Sequence, residues 1–367
     1  MTTRTYFLAC LCFLCLIATK YSAQTGFTGL IRFGDQFHER ALPAVRLLPV
    51  KVFAGTPGYD GQFYAQVALD PLLRSSEIGP ALDNPGYRAR RILLSATAAL
   101  IGLGNPWWTL QAYALLNVIC WLWLGWLLRE LVGLPGLLGT ARWLGCMLSV
   151  GVMDCVSRSL VDLAAVTLTA FAIRELAEKR TRSGMLGFAL GVLARETALF
   201  GAGCVLLRPK NPLRSLWQIL LVALPLGAWS WYVFTRFDGS DSSGLGNFTW
   251  PFIGMFREAR LSIAELAAGH WDTRYVFALL AVPGLLVQAA VLATNPDREN
   301  PWWRVGIAYA VVLLCLSSWV WSGYWAACRA VLPMTIAFNL LLPADRKFWL
   351  LWVAGNLTML HAVWRFL

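Results

Sequence analysis

The chain has 367 residues and a formal net charge of +11; 58% of its residues are hydrophobic and only 14% are charged. A soluble globular protein has about 25% charged residues, so this composition excludes that class and indicates a polytopic integral membrane protein. The basic residues are spread over short loops between apolar runs, a pattern that orients membrane proteins, and we therefore expect no nucleic-acid partner.

The first apolar run covers about residues 6–18 and lies between Arg4 and Lys20. The segment YSA before Gln24 is a poor cleavage site, so we expect an uncleaved signal anchor, with a cleaved signal peptide as the alternative. Ten further apolar runs follow, at about 91–104, 107–128, 141–156, 159–173, 184–207, 213–234, 274–294, 302–321, 324–342 and 347–366.

Loops rich in lysine and arginine separate these runs, at 129–142, 174–182, 208–214, 298–304 and 346–347. The positive-inside rule places all five in the cytoplasm, so each neighbouring pair must be joined by two crossings. Run 184–207 is therefore predicted to be a hairpin of two short helices with its tip near Arg195 and Glu196. Run 91–104 would reach only about 21 Å as a helix, so it is predicted to be a juxtamembrane helix on the outer face.

The predicted fold class is all-α: a polytopic transmembrane bundle of about 11 spans, with a long outer first loop that carries juxtamembrane helices. The predicted organisation is a membrane module over 1–235 with its outer loop at 20–106, a second outer loop at 236–273, and C-terminal transmembrane helices over 274–367.

This topology gathers polar residues on the outer side, among them Asp60, the arginines of segment 88–91, Arg195, Glu196 and Arg329. Ionisable residues at membrane depth cost about 2.5–3.5 kcal/mol each, so they are functional candidates by default. Arg329, at the outer end of a span, is a candidate phosphate contact; the arginines of 88–91 could instead extend to lipid headgroups.

Three segments carry a family resemblance: YDGQFY at 59–64, LDNPGYRARRILLS at 82–95 and LARETALF at 193–200. Their order, from residue 1 to about residue 208, resembles the bacterial polytopic GT-C class glycosyltransferases and, more distantly, the mannosyltransferases that use dolichyl-phosphate mannose. The resemblance implies that the module 1–235 is GT-C-like and catalytic, and that transfer inverts the configuration at the sugar. It implies a polyprenyl-phosphate sugar donor, membrane lipid around the site, and a glycan or lipid acceptor.

The resemblance also implies residue roles. Asp60 would be the catalytic base; Tyr59, Gln62 and Tyr64 would shape the acceptor and sugar pocket; Tyr87, Arg88 and Arg91 would lie near the donor phosphate, with Arg195 and Glu196 opposite. The alternative for Asp60 is a turn-capping residue. Asp35 is a second candidate carboxylate, Asp70 and Asp83 are interpreted as a cap and a turn residue, and Asp162 is expected to pair with Arg158 at helical spacing.

No cofactor and no metal are expected, because His38, His270 and His361 are dispersed and lack metal-site spacing. Asp238 and Asp241 in the second outer loop could bind a divalent cation, although a polar loop is the commoner meaning of such a segment. The expected location is the bacterial inner membrane, with the site facing the periplasm or exterior.

Two other functions remain open from the sequence. A transporter or flippase for an anionic lipid-linked substrate would use the same outer charges as a gate, although the chain shows no internal repeat of the kind common in transporters. A non-catalytic subunit of an envelope-glycan assembly complex is the third interpretation.

Overall fold

The computed structural model describes residues 2–207, 211–237 and 244–366, which form 21 α-helices, two 3-10 turns and two very short strands. The prediction of an all-α fold is confirmed. The N-terminal helices are α1 (Thr3–Ala18), α2 (Asp35–His38), α3 (Pro43–Leu47), α4 (Gly61–Leu69), α5 (Pro85–Ala89), α6 (Ile92–Gly102) and α7 (Pro106–Leu131). The strands β1 (Phe33–Gly34) and β2 (Val52–Phe53) pair in parallel.

The central helices are α8 (Gly136–Met147), α9 (Val150–Arg158), α10 (Asp162–Ala177), α11 (Thr181–Ala194), α12 (Ala198–Leu206) and α13 (Pro212–Arg236). The C-terminal helices are α14 (Ile253–Ala267), α15 (Thr273–Thr294), α16 (Pro301–Cys315), α17 (Ser318–Trp321), α18 (Tyr324–Ala330), α19 (Leu332–Leu341), α20 (Phe348–Gly355) and α21 (Met359–Phe366).

Asn-Pro dipeptides begin four of the described helices, α5, α7, α13 and α16, and in three of them the asparagine side chain caps the first turn. The side chains of Asn84, Asn105 and Asn300 each accept a hydrogen bond from a backbone N–H in the first turn of α5, α7 and α16 respectively. Proline follows as the first helical residue, where its missing N–H costs nothing and its fixed φ suits the helix. These starts are therefore encoded locally.

Three helices, α7, α13 and α15, are long and apolar enough to cross a membrane. The bent pairs α8–α9 (46°) and α18–α19 (67°) raise the number to as many as five in the described residues. The predicted count of about 11 spans is not confirmed. Many apolar runs fold as helices of 8 to 16 residues, and a single span needs about 20 residues.

The predicted hairpin over 184–207 is present as α11 and α12, with the break at residues 195–197. The run at 91–104 contains the 11-residue helix α6, which ends at Leu103 in the left-handed conformation. Both segments are thus short helices, as expected, while their depth and side in a membrane stay predictions.

The start of α4 is fixed against the end of α9 by a close backbone approach. A Cβ on Gly61 would lie 2.1 Å from the carbonyl oxygen of Arg158 and 2.9 Å from that of Ile31. Only glycine fits such an approach without a shift of the backbone. The backbone N–H of Tyr59 also donates to the carbonyl of Arg32 at 3.0 Å, so the loop that carries Tyr59 and Asp60 is held from both sides.

Candidate functional site

A cavity of about 720 Å³ lies between α5, the α11–α12 break, the segment 244–248, and helices α16 to α18. One side of the cavity is polar and is lined by Tyr59, Asp60, Tyr87, Arg88, Arg91, Arg195, Glu196 and Arg329. The other side is largely apolar and includes Leu199, Phe200, Val312, Leu316, Trp319 and Val320. The cavity can therefore receive a ligand with a charged group and a hydrocarbon group.

Asp60 precedes α4 but does not cap it, since its side chain accepts no hydrogen bond from the N–H groups of the helix. Its Oδ1 instead accepts from Arg88 Nη2 at 2.9 Å, and its Oδ2 lies 3.7 Å from Arg329 Nη2. The turn-capping alternative therefore does not describe this residue. Asp60 joins two arginines from distant parts of the chain.

Arg88 is held by more than Asp60. Asp83 receives two hydrogen bonds from it, Nε to Oδ1 at 2.8 Å and Nη2 to Oδ2 at 2.7 Å. A two-point contact of this kind fixes the plane of a guanidinium as well as its position. The prediction of Asp83 as a turn residue was incomplete, because its carboxylate also orients Arg88.

Arg91 forms the second two-point ion pair of the cavity. Its Nε and Nη2 donate to the two carboxylate oxygens of Glu196 at 2.9 and 2.6 Å. The buried Tyr64 hydroxyl accepts from both Arg91 Nη1 (2.8 Å) and Arg88 Nη1 (3.3 Å), so it links the two arginines. The ring of Tyr87 lies 4.2 Å from the Arg91 guanidinium, close enough for a cation–π contact.

Arg329 reaches into the cavity from α18 and connects it to a buried layer of carboxylates. Its Nη1 donates to Asp162 Oδ2 at 3.2 Å, its Nε lies 3.4 Å from Asp154 Oδ2, and its Nη2 donates to the Tyr59 hydroxyl at 3.0 Å. Asp162 also contacts Arg195. Arg195 and Glu196 thus serve different partners, as expected for adjacent residues.

The expected pair between Arg158 and Asp162 was wrong. Arg158 Nε lies 3.1 Å from Asp154 Oδ1, within the same helix α9. Helix α9 ends at Arg158, Ser159 adopts the left-handed conformation (φ 50°), and α10 begins only at Asp162. The four-residue rule needs one continuous helix, so Arg158 instead pairs four residues back.

The lining of the cavity is net positive. Among its described residues four arginines and two carboxylates are charged. Burial raises the pKa of Asp60, but the charges of Arg88 and Arg329 outweigh it, and the resulting pKa is about 2. Burial likewise acts against Glu196, and Arg91 and Arg195 bring its pKa to about 2. Both carboxylates are therefore ionised at neutral pH, and the site favours an anionic ligand.

Eight of the predicted site residues line this cavity, and two do not. Tyr64 lies behind the lining and contacts it through its hydroxyl. Gln62 is directed into the loop scaffold, where its Nε2 donates to the Pro57 carbonyl at 2.7 Å and its Oε1 accepts from the Gly34 N–H at 3.0 Å. The geometry thus gives Gln62 a role in holding the loop; the functional roles of the other residues stay predictions.

The remaining candidate carboxylates bind backbone groups. Asp35 accepts from the N–H groups of Gly55 and Thr56 at 2.6 and 3.1 Å, and Asp70 accepts from those of Arg74 and Ser75. Asp35 therefore closes a turn, and neither residue lines the cavity. In the part of the chain that the structure describes, no group of three or more histidine, cysteine or acidic residues is arranged to hold a metal ion. Asp238 and Asp241 lie outside that part.

Sequence reasoning missed Asp154 and the aromatic residues Trp319 and Trp325 of the cavity. Asp154 had a visible signal, because it stands four residues before Arg158 in one apolar helix. The tryptophans had none, since each is one of 19 in the chain.

Comparison with known proteins finds no family model, no curated protein and no solved structure that matches this chain. A proposal of function therefore rests on the geometry of the cavity and on the resemblance carried by three short segments.

Proposed function

We propose that the protein is an integral-membrane glycosyltransferase that moves a sugar from a polyprenyl-phosphate donor to a lipid or surface-glycan acceptor at the outer face of the membrane. The observation that carries the proposal is the cavity itself. One of its two carboxylates, Asp60, lies among arginines suited to a phosphate, and the cavity has an apolar wall suited to a lipid chain.

The donor phosphate would bind near Arg91 and Arg195. Guanidinium groups bind phosphate oxygens through two parallel hydrogen bonds, and Arg195 Nε is buried without a hydrogen-bond partner among the described residues. The polyprenyl chain would lie along the apolar wall near Phe200 and Leu316.

In the proposed reaction an acceptor hydroxyl oxygen attacks C1 of the sugar, and the bond between C1 and the phosphate oxygen breaks with inversion. The bonding electrons leave with the polyprenyl phosphate, and the hydroxyl proton passes to Asp60. The arginines stabilise the negative charge that develops on the leaving phosphate. Each atom and charge is then accounted for without a cofactor.

Asp60 is a weak base while Arg88 and Arg329 hold it, because they keep its pKa at about 2. The negative charge of a phosphate bound in the same cavity would offset the effect of these arginines on the carboxylate. Its pKa would then rise, which improves a general base for work near neutral pH. Donor binding and activation of the base are coupled in this proposal.

The test is a transfer assay with purified protein in proteoliposomes, with membrane lipid extract as the acceptor source. Radiolabelled polyprenyl-phosphate sugars and the matching nucleotide sugars are compared as donors. The proposal predicts transfer from the lipid-linked donor only, and an Arg91→Ala variant with both weaker donor binding and slower transfer, because a phosphate-holding cation acts in ground and transition states. The exposed variant Arg40→Ala is the control. Transfer from the nucleotide sugar alone, or full activity in Arg91→Ala, would contradict the proposal.

A further inference from the structure

A second cavity, of about 360 Å³, lies where α1, the loop that follows it, and the end of α21 meet. Four cationic side chains line it: Lys20, Arg32, Lys51 and Arg365. The described residues of its lining include no aspartate and no glutamate. The proposed glycosyltransferase function makes no use of this cavity. Three of its cations lie within the first 51 residues, and Arg365 lies in α21.

Aromatic rings position these cations. The Arg32 guanidinium lies 4.5 Å from the centre of the Phe53 ring, and Lys51 Nζ lies 6.0 Å from the same ring. Lys20 Nζ lies 5.6 Å from the ring of Phe366. Such contacts hold cations in place and add no negative charge of their own. The described lining of the cavity therefore carries positive charge that an anion can meet.

Both the backbone conformation of Arg32 and the charges around it are unfavourable. It adopts the left-handed backbone conformation (φ 66°), which is uncommon for a residue other than glycine. Burial and the positive charges of Arg158 and Arg365 lower its pKa below the usual value for arginine. The negative charge of Asp154 acts in the opposite sense on Arg32, but Asp154 already pairs with Arg158 and Arg329. A bound anion would relieve the repulsion between these cations.

The cavity opens beside two apolar helices. Helix α1 exposes Phe7, Leu8, Leu11 and Leu14, and α21 exposes Leu360 and Trp364. The rings of Phe13 and Phe366 stack at 6.1 Å and join the two helices. Lys20 follows the last residue of α1 by two positions. A lipid lying along α1 would thus place its headgroup at the level of the cavity.

We propose that this second cavity is a binding site for a phosphate oxyanion, separate from the candidate transferase site. The four cations supply the hydrogen bonds and charge, and the hydroxyls of Ser22 and Thr25 add neutral donors. An anionic phospholipid headgroup and free inorganic phosphate share this chemistry, and the experiment distinguishes them.

The experiment uses the purified full chain in neutral detergent and measures affinity by titration calorimetry. The probes are dihexanoylphosphatidylglycerol, dihexanoylphosphatidylcholine and inorganic phosphate. The test variants are Lys51→Gln and Arg365→Gln; Arg40→Gln, an exposed arginine outside the cavity, is the matched control.

Loss of one charge-assisted hydrogen bond should weaken binding about tenfold or more in each test variant, while Arg40→Gln should bind as the parent does. If phosphatidylglycerol binds in this pattern and phosphatidylcholine does not, the source is a lipid. If inorganic phosphate binds in this pattern and the lipids do not differ, the source is free phosphate. Binding of either anion that is insensitive to both test variants, or no binding of either, would overturn the proposal. None of these outcomes depends on glycosyl transfer.

Discussion

Arg91 and Glu196 lie 105 positions apart in the chain and share two parallel hydrogen bonds, with Nε–Oε2 at 2.9 Å and Nη2–Oε1 at 2.6 Å. The pair ties the segment before α6 to the break between α11 and α12, and it forms one edge of the larger cavity. In the resting protein the pair holds these two segments together. In the proposed function Arg91 must release part of its contact with Glu196 when a phosphate binds.

The first prediction concerns the stability that this pair supplies. The Arg91 side chain is 7% exposed and that of Glu196 is 26% exposed, so Glu196→Gln should cost about 1–3 kcal/mol, less than the loss of a partner from a fully buried pair. Thermal unfolding in detergent measures it. Glu77→Gln breaks the exposed pair with Arg46 (3.7 Å) and should cost less than about 1 kcal/mol. Equal destabilisation by both variants would contradict the assignment.

The second prediction is the pH dependence of stability. Arg91 and Arg195 overcome the effect of burial and lower the pKa of Glu196 from 4.5 to about 2 in the folded protein. A carboxyl whose pKa falls on folding stabilises the protein fully above its unfolded pKa, and this contribution is lost as the pH falls through the folded value. The parent should therefore lose stability between about pH 4.5 and pH 2 more steeply than Glu196→Gln. Parallel curves of melting temperature against pH would argue against an ionised Glu196.

A third prediction follows from the close approach at Gly61. A Cβ there would lie 2.1 Å from the Arg158 carbonyl oxygen, so Gly61→Ala should destabilise the protein by about 1–3 kcal/mol and displace Asp60. Gly203, inside α12, is the matched control because an added Cβ there meets no heavy atom of the described residues within 4 Å. Gly203→Ala should be neutral or stabilising by about 0.5–1 kcal/mol. Unfolding by heat compares the two; a harmless Gly61→Ala would refute the packing described here.

The fourth prediction concerns the second contact of Arg88. Asp83→Asn keeps the size of the side chain but removes the charge that orients the guanidinium through two hydrogen bonds. If Arg88 positions donor and base, KM for the donor should rise about tenfold, since such a charged hydrogen bond contributes about 1.5–3 kcal/mol. Asp83→Glu should recover part of the loss. A purely structural role would instead change the melting temperature and leave KM unaltered.

Local sequence signals predicted the parts of the fold that depend on neighbouring residues. The polar Arg195–Glu196 step predicted the break in the hairpin, and the Asn-Pro dipeptides at the starts of α5, α7, α13 and α16 are signals of the same local kind that were not used for prediction. The number of spans was not predictable in the same way. Apolar composition does not distinguish a helix that faces lipid from one packed inside the protein. Of the apolar stretch of α7, 61% is buried within the protein, compared with 11% of the apolar stretch of α13.

The candidate site was partly predictable because seven of the eight predicted residues that line it come from three recognisable segments. The partner of Asp162 was not, since it depends on the left-handed turn at Ser159, which places Asp162 against Arg195 and Arg329. The second cavity was missed for a similar reason. Its cations lie at positions 20, 32, 51 and 365, and only the packing of α21 beside α1 brings the last one to the others.

The central claim is that Asp60 accepts the proton of the acceptor hydroxyl, and the Asp60→Asn variant tests it most directly. Asparagine keeps the shape and an acceptor oxygen for Arg88 but removes the basic carboxylate. General-base catalysis contributes about 10²–10⁴-fold, so the rate of transfer from a polyprenyl-phosphate sugar should fall by that factor while donor affinity changes little. Asp35→Asn, a carboxylate of the same loop region that binds only backbone groups, should transfer at close to the parental rate. A folded, membrane-inserted Asp60→Asn protein that transfers sugar as fast as the parent would contradict the account.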